Sequence, residues 1–484
     1  MISENLNEDS SIQLPPVSEE SPKIPRRLVT LDFLRGVAIF GMTLFHILFK
    51  MYDVESFMAN PDEILNFPII VLIIMGIFAY LGSWYGFFLF ISSVVNSYVF
   101  TTKSRANIEP SKLLVKQTMS GVILIILAYF IEGIIGYYGD IGYSIRNLEW
   151  SNFGYFKVEI LWIQTLQIIG LCLIINGLLL FLLLRNDGYK KVIRNITIFA
   201  CLILIILVFT PFISDWIANS NWAYPPEEVG WPDIGFVYKN RSARTWFLTI
   251  INGPKQPLFP YLASSFMGAL IGTILANPKP TRRILLWFSL AGILMIATGV
   301  ILIVAGLPFT FLEQPPAITT YLLRLGGQVC LLMTLLATVE FRGKGSTFAN
   351  RRIVKYFRRW SILSLTIYSL HVLELLPRWI LSLILQKRPG YNFMEEGIIG
   401  RGQEHWMFLA IIFILLFYEL VVRLFIHFKM KGSLEWVFVK IQTLFKGIKS
   451  SKIASDLLGD EVQWISYRIY QIGDSDNSVK KELQ

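Results

Sequence analysis

Ten apolar stretches, most of them close to twenty residues long, decide what this 484-residue chain can fold into. They run over about 31–51, 67–100, 118–135, 158–184, 196–217, 258–276, 284–306, 319–339, 360–385 and 406–427. A hydrocarbon core of roughly 30 Å takes about 20 helical residues to cross. Lipid offers no partner to backbone N–H and C=O groups, so a crossing segment must satisfy its own, as a helix does. Only 16% of the residues are charged, against about 25% in a soluble domain. The expected fold class is therefore all-α, a polytopic transmembrane helical bundle of about ten spans.

Loop charge orients the bundle. Lys23, Arg26 and Arg27 precede the first stretch; Lys103, Arg105, Lys112 and Lys116 follow the second; Arg185, Lys190, Lys191 and Arg194 follow the fourth. Lys279, Arg282 and Arg283 follow the sixth, Arg342 to Arg359 hold seven bases after the eighth, and Lys429 and Lys431 follow the tenth. Lysine and arginine mark cytoplasmic loops. The alternation is consistent if the 34-residue second stretch crosses once, and it puts both termini in the cytoplasm. The first external loop, 52–66, carries Asp53, Glu55, Asp62 and Glu63 and no base. The net charge of +10 then reflects this bias, and no nucleic-acid partner is expected. The long external loop 217–257 departs from it with Lys239, Arg241, Arg244 and Lys255. It reads either as an ordinary solvated loop or as a site for an anionic substrate or lipid headgroup.

The domain organisation follows: a polar, acidic cytoplasmic tail over 1–26 expected to be disordered, a multi-span membrane domain over 27–432, and a cytoplasmic tail over 433–484 that begins amphipathic and ends polar. Residues 1–22 lack the apolar core of a secretory signal peptide. Cys172, Cys201 and Cys330 lie inside apolar stretches with no paired spacing, so neither a disulfide framework nor a metal site is expected.

Ionisable residues within a span cost about 2.5–3.5 kcal/mol each on insertion scales and face the protein interior or a watery cavity. Asp32 and Arg35 stand at i and i+3 near the start of the first span. As a bare pattern they are an interfacial ion pair, with Gly36 beside them allowing close approach of another helix. His46 lies eleven residues further on, about 16 Å along the axis. His371, Glu374 and Arg378 form a polar stripe at i, i+3 and i+7 in the ninth span. Glu132 and Arg324 sit near the external ends of the third and eighth spans. All six from His46 to Arg378 thus map to the middle or external half of the membrane. Brought together they form a polar cavity with a base, carboxylates and cations; kept apart, they are helix–helix hydrogen bonds and packing ion pairs. Glu419 and Arg423 at i and i+4, and His405 and His427 at span edges, read as structural or solvated groups. No nucleotide-hydrolysis, zinc-protease or nucleophile-elbow pattern is present.

Four segments resemble the membrane acyltransferase superfamily, in order along the chain. Arg27-x-x-x-Leu31-Asp32-Phe33-Leu34-Arg35-Gly36-x-Ala38-Ile39 is similar to the opening of heparan-α-glucosaminide N-acetyltransferase-like and YeiB-like membrane proteins. Pro257-Leu258-Phe259-Pro260-Tyr261 with Gly268 and Gly272 resembles a later span, and Ser364-Leu365-Thr366-Ile367-Tyr368 followed by His371 resembles a late element of the superfamily. Gly432-Ser433-Leu434-Glu435-Trp436 is similar to the YeiB-like C-terminal signature, with Ser433 where that signature has Pro.

The resemblance implies an acyl-CoA-dependent enzyme of the cell membrane. Acetyl-CoA is the foremost donor, a glycan or lipid-linked sugar the acceptor, membrane lipids the surroundings, and no metal takes part. A homo-oligomer is compatible with it. His46, His371 and Glu374 are then the catalytic candidates, and Asp32, Arg35, Glu132, Arg324 and Arg378 the substrate-binding ones. A polytopic transporter or flippase using the same intramembrane charges is the competing expectation, and a non-catalytic membrane scaffold the third.

Overall fold

A computed structural model of the chain describes residues 26–52, 85–147 except 138, 164–219, 242–385 except three short gaps, and 404–443, with scattered residues between them. The tail before residue 26, the acidic loop 53–66, most of 67–84, the loop over 220–241 with Lys239 and Arg241, and most of the tail beyond 443 lie outside the described residues.

The described elements are helices. In chain order they are α1 Val29–Met51, α2 Tyr85–Arg105, α3 Pro110–Phe130, α4 Asp140–Asn147, α5 Thr165–Leu184, α6 Val192–Asn219, α7 Ala243–Asn252 and α8 Leu258–Leu275. Then come α9 Arg283–Val304, α10 Ile318–Thr338, α11 Gly345–Ala349, α12 Arg352–Ile362, α13 Ser364–Ser369, α14 Leu375–Leu385, α15 Glu404–His427 and α16 Leu434–Thr443. A two-residue parallel pairing of Arg26–Arg27 with Gln463–Trp464 brings the two tails to the same end of the bundle, in keeping with termini on one side of the membrane.

Eight helical segments among the described residues are long and apolar enough to cross a bilayer, from Val29–Met51 through His405–His427. The chain is a multi-pass integral membrane protein. Two of the ten expected crossings differ. Of the second stretch, only α2 is described as a continuous helix. The ninth, expected as one helix over 360–385, is instead divided among the end of α12, α13, a 3-10 turn at His371–Glu374 and α14.

The bundle sorts its helices by how many faces they bury. α8 is buried along nearly its whole length, from Pro260 to Leu275. α9 buries only Phe288, Gly292 and Gly299 along its seam with α10 and presents Leu290, Leu294, Ile301 and Val304 outward. A helix apolar on all sides with a single protein seam is what lipid contact selects. α1 belongs to both main apolar cores. Leu31, Leu34 and Ala38 join the core built on α2, α5, α8 and α10, while Ile39, Met42 and Ile47 join a second one with Trp360, Ile367 and α15.

Small residues set the closest helix contacts, because association within lipid depends on backbone approach. Gly36 meets the backbone of Phe357 on α12 so closely that a Cβ would overlap the Phe357 carbonyl oxygen. On α8, Gly268 and Gly272 meet the α2 carbonyls of Phe90 and Val94 in the same way. Gly36→Ala is therefore expected to push α12 off α1 and destabilise the protein by about 1–3 kcal/mol, the cost of overpacking a tight core. A lowered melting midpoint in detergent checks this; an unchanged midpoint contradicts the contact.

Candidate functional site

α1 carries His46 and Lys50 one turn apart on one face. Facing them is the broken segment of the former ninth span. Leu363 and Leu370 leave the helical region, at φ −101°, ψ 19° and φ −93°, ψ 27°. The second break leads into the 3-10 turn His371–Glu374. Three residues per turn bring i and i+3 into register, so His371 and Glu374 project from the same side.

A helix that starts afresh within a membrane protein leaves backbone N–H groups in need of acceptors. Glu435, at the start of α16, supplies them. Its Oε1 accepts from the backbone N–H of Leu365 at 2.7 Å and of Thr366 at 3.0 Å. The Thr366 hydroxyl donates to Glu435 Oε2 and accepts from the Leu434 N–H at 2.9 Å. Two of the segments quoted for the acyltransferase resemblance are thereby joined, and the C-terminal helix fixes the element that delivers His371.

Burial pushes the Glu435 carboxyl above its ordinary range in spite of those donors. A carboxyl raised on folding contributes stability that is fully present below its unfolded pKa and is lost as pH rises through the folded value. As pH climbs from about 4.3, the reference value for glutamate, wild type is expected to lose melting temperature relative to Glu435→Gln. Parallel pH curves for the two proteins would contradict this.

The His46 and His371 rings meet edge to face, with centroids 4.9 Å apart and an interplanar angle of 75°. His371 is buried and His46 half-buried. The Tyr368 backbone hydrogen-bonds the His371 ring, and His371 Nε2 has no hydrogen-bond partner among the described residues. An imidazole that donates Nδ1–H to a carbonyl keeps its lone pair on Nε2. His46 Nδ1 likewise has no hydrogen-bond partner there.

Beside the imidazoles lies a charged cluster. Lys50 Nζ donates to Glu374 Oε1 at 2.7 Å, and Arg378 Nη1 stands 3.7 Å from the same oxygen. Glu374 is 0% and Arg378 1% exposed. Tyr137 organises the cations: its hydroxyl accepts from Arg378 Nη1 at 2.8 Å, and Lys50 Nζ sits 3.3 Å from its ring centroid. Arg146 lies 4.5 Å from that centroid. Cations over an aromatic face are held by its quadrupole. Glu132 joins from a π-helical turn, Ile131–Ile135, and its Oε1 accepts from the Tyr368 hydroxyl at 2.8 Å.

Thus His46, His371, Glu374, Arg378 and Glu132 come together through direct contacts or through Tyr368. Asp32 and Arg35 do not join them. They form an i, i+3 pair at 3.7 Å near the other end of α1, where Arg35 Nε donates to Ser361 Oγ at 2.8 Å and ties α1 to α12. Arg324 is buried on α10, which packs chiefly on α9, and none of the cluster contacts described above includes it. His405 and His427 are exposed, and Glu419 pairs with Arg423 at 2.8 Å.

Lys50, Tyr137 and Arg146 were not among the sequence candidates. Lys50 carries a signal, being a lysine within an apolar stretch, four residues from His46, at the end where positive-inside bias disfavours it. Tyr137 and Arg146 lie beyond α3 and carry none. Chemically, the arrangement offers an imidazole with an unpartnered Nε2, a second imidazole in contact with it, and neighbouring cations braced by one carboxylate. Comparison with family models and with curated proteins finds no match to this chain.

Proposed function

We propose that this protein is an integral membrane acyltransferase that moves an acyl group from acyl-CoA, with acetyl-CoA as the foremost donor, to a glycan or lipid-linked acceptor at the cell membrane. The contact between His46 and His371 carries the reading. Two imidazoles from distant parts of the chain meet away from the basic loops, with an open lone pair on His371 Nε2.

His371 Nε2 takes the proton from the acceptor hydroxyl or amine as its oxygen or nitrogen attacks the thioester carbonyl. The tetrahedral intermediate collapses, the carbon–sulfur bond breaks, and the CoA thiolate takes up the proton. Lys50 and Arg378 stabilise the negative charge that develops on the carbonyl oxygen, and Glu374 holds both cations in place. The test is purified protein in nanodiscs with labelled acetyl-CoA and extracted membrane lipids and glycans. The expected result is free CoA released in step with label in the acceptor fraction. Folded protein that releases no CoA with any acceptor fraction overturns the reading.

One observation favours a second reading. The breaks at Leu363 and Leu370 make the ninth crossing discontinuous, and discontinuous helices beside buried charges are a feature of secondary transporters. Substrate flux into proteoliposomes with no acyl donor present supports transport, and flux that requires acyl-CoA supports transfer.

A further inference from the structure

A cavity of about 590 Å³ lies at the basic end of the bundle, well away from the histidines. It forms where the end of α2, the starts of α6 and α9 and the end of α8 meet. Its walls are aliphatic: Val192, Ile196, Ile274 and Ile284. Arg105, Asn277 and Thr281 provide its polar edge.

Arg105 is the cation built into this cavity. Its Nη2 donates to Asn277 Oδ1, and its guanidinium carbon lies 5.5 Å from the Tyr189 ring centroid. Its Nε is buried and has no hydrogen-bond partner among the described residues. The Nε–H and Nη–H groups of arginine form a planar fork matched to two oxygens of one phosphate. A half-buried guanidinium with one donor unsatisfied is therefore a socket for such an oxygen. Two nearby cations are already committed: Lys190 pairs with Asp187 at 2.8 Å, and Arg194 donates to the Leu183 carbonyl at 2.5 Å.

A free inorganic anion would satisfy Arg105 and leave four aliphatic side chains facing water. An anionic phospholipid satisfies both, with its phosphate at Arg105 and an acyl chain along the isoleucines. The cavity opens among the loops whose lysines and arginines mark the cytoplasmic face, where anionic lipids concentrate.

We propose that this cavity binds one anionic phospholipid of the cytoplasmic leaflet, headgroup phosphate on Arg105 and chain against Ile196 and Ile274. The test is the melting temperature of the full-length protein in neutral detergent, titrated with phosphatidylglycerol, phosphatidylcholine or inorganic phosphate. Wild type is expected to be stabilised by phosphatidylglycerol in a saturable way and hardly at all by the other two. Arg105→Gln is expected to raise the half-saturating concentration about ten-fold, the loss of one charge-assisted hydrogen bond. Ile196→Trp, which fills the cavity and keeps the charge, is expected to do the same. Phosphatidylcholine matching phosphatidylglycerol, or both variants responding like wild type, overturns the proposal. An equal shift from phosphate alone makes this a free-anion site and also overturns it. Should Arg105→Gln fail to fold, Arg105→Lys replaces it, with the fork lost and the charge kept.

Discussion

Glu374→Ala is expected to destabilise this protein by about 3–5 kcal/mol, and Lys50→Ala by distinctly less. The difference follows from where each leaves charge. Glu374 is fully buried and is the carboxylate shared by Lys50 at 2.7 Å and Arg378 at 3.7 Å. Without it, two cations remain packed against Tyr137 with their repulsion undamped by water. Removing one partner of a buried pair costs about 3–5 kcal/mol because the other charge is left uncompensated. Lys50→Ala removes the shorter contact but leaves Glu374 with Arg378 on the same turn. The double variant Lys50→Ala with Glu374→Ala is expected to be more stable than the sum of the two losses by about 0.5–3 kcal/mol, the coupling typical of residues in direct contact. Reversible unfolding in mixed micelles measures all three. Strict additivity means that the two side chains do not interact.

The apolar blocks were enough to read an all-α bundle of many crossings, since lipid imposes helices. His46 and His371 were both read in the middle or external half of the membrane, and the two rings do meet. What escaped was local. The run Ser364-Leu365-Thr366-Ile367-Tyr368-Ser369 has no Gly or Pro to signal a break, and the acceptor that sustains the break, Glu435, lies 70 residues away from Leu365 in sequence. Lys50 was legible as an intramembrane lysine but invisible as the partner of Glu374, because that contact joins α1 to a turn 324 residues later. Asp32 and Arg35 form the i, i+3 ion pair that their spacing suggests, with Ser361 as the added partner. Tyr137 depends on how the chain leaves the π turn at Ile131–Ile135, and residue type alone does not encode that.

The sharpest functional consequence concerns which imidazole takes the proton. His371→Ala is expected to lower the rate of acyl transfer by about 10²–10⁴-fold, the range contributed by a positioned general base, and His46→Ala by less. The asymmetry rests on orientation. His371 is held by the Tyr368 backbone with Nε2 left open, and Tyr368 is itself anchored by its hydroxyl on Glu132 at 2.8 Å. His46 meets that ring edge to face and is half-buried, so it shapes the base's surroundings. Melting temperature separates lost chemistry from lost folding, because a base can be removed without unfolding the bundle. Added imidazole gives a second separation: it is expected to restore part of the rate to His371→Ala and none to His46→Ala, since a free base can replace a proton acceptor but not a packing contact. Tyr368→Phe keeps the backbone contact, removes the Glu132 anchor, and is expected to cost about ten-fold, the worth of roughly 1.4 kcal/mol of lost orientation. A folded His371→Ala protein that transfers acyl groups at the wild-type rate would remove His371 from the chemistry, and equal imidazole rescue of both variants would assign the proton to the pair.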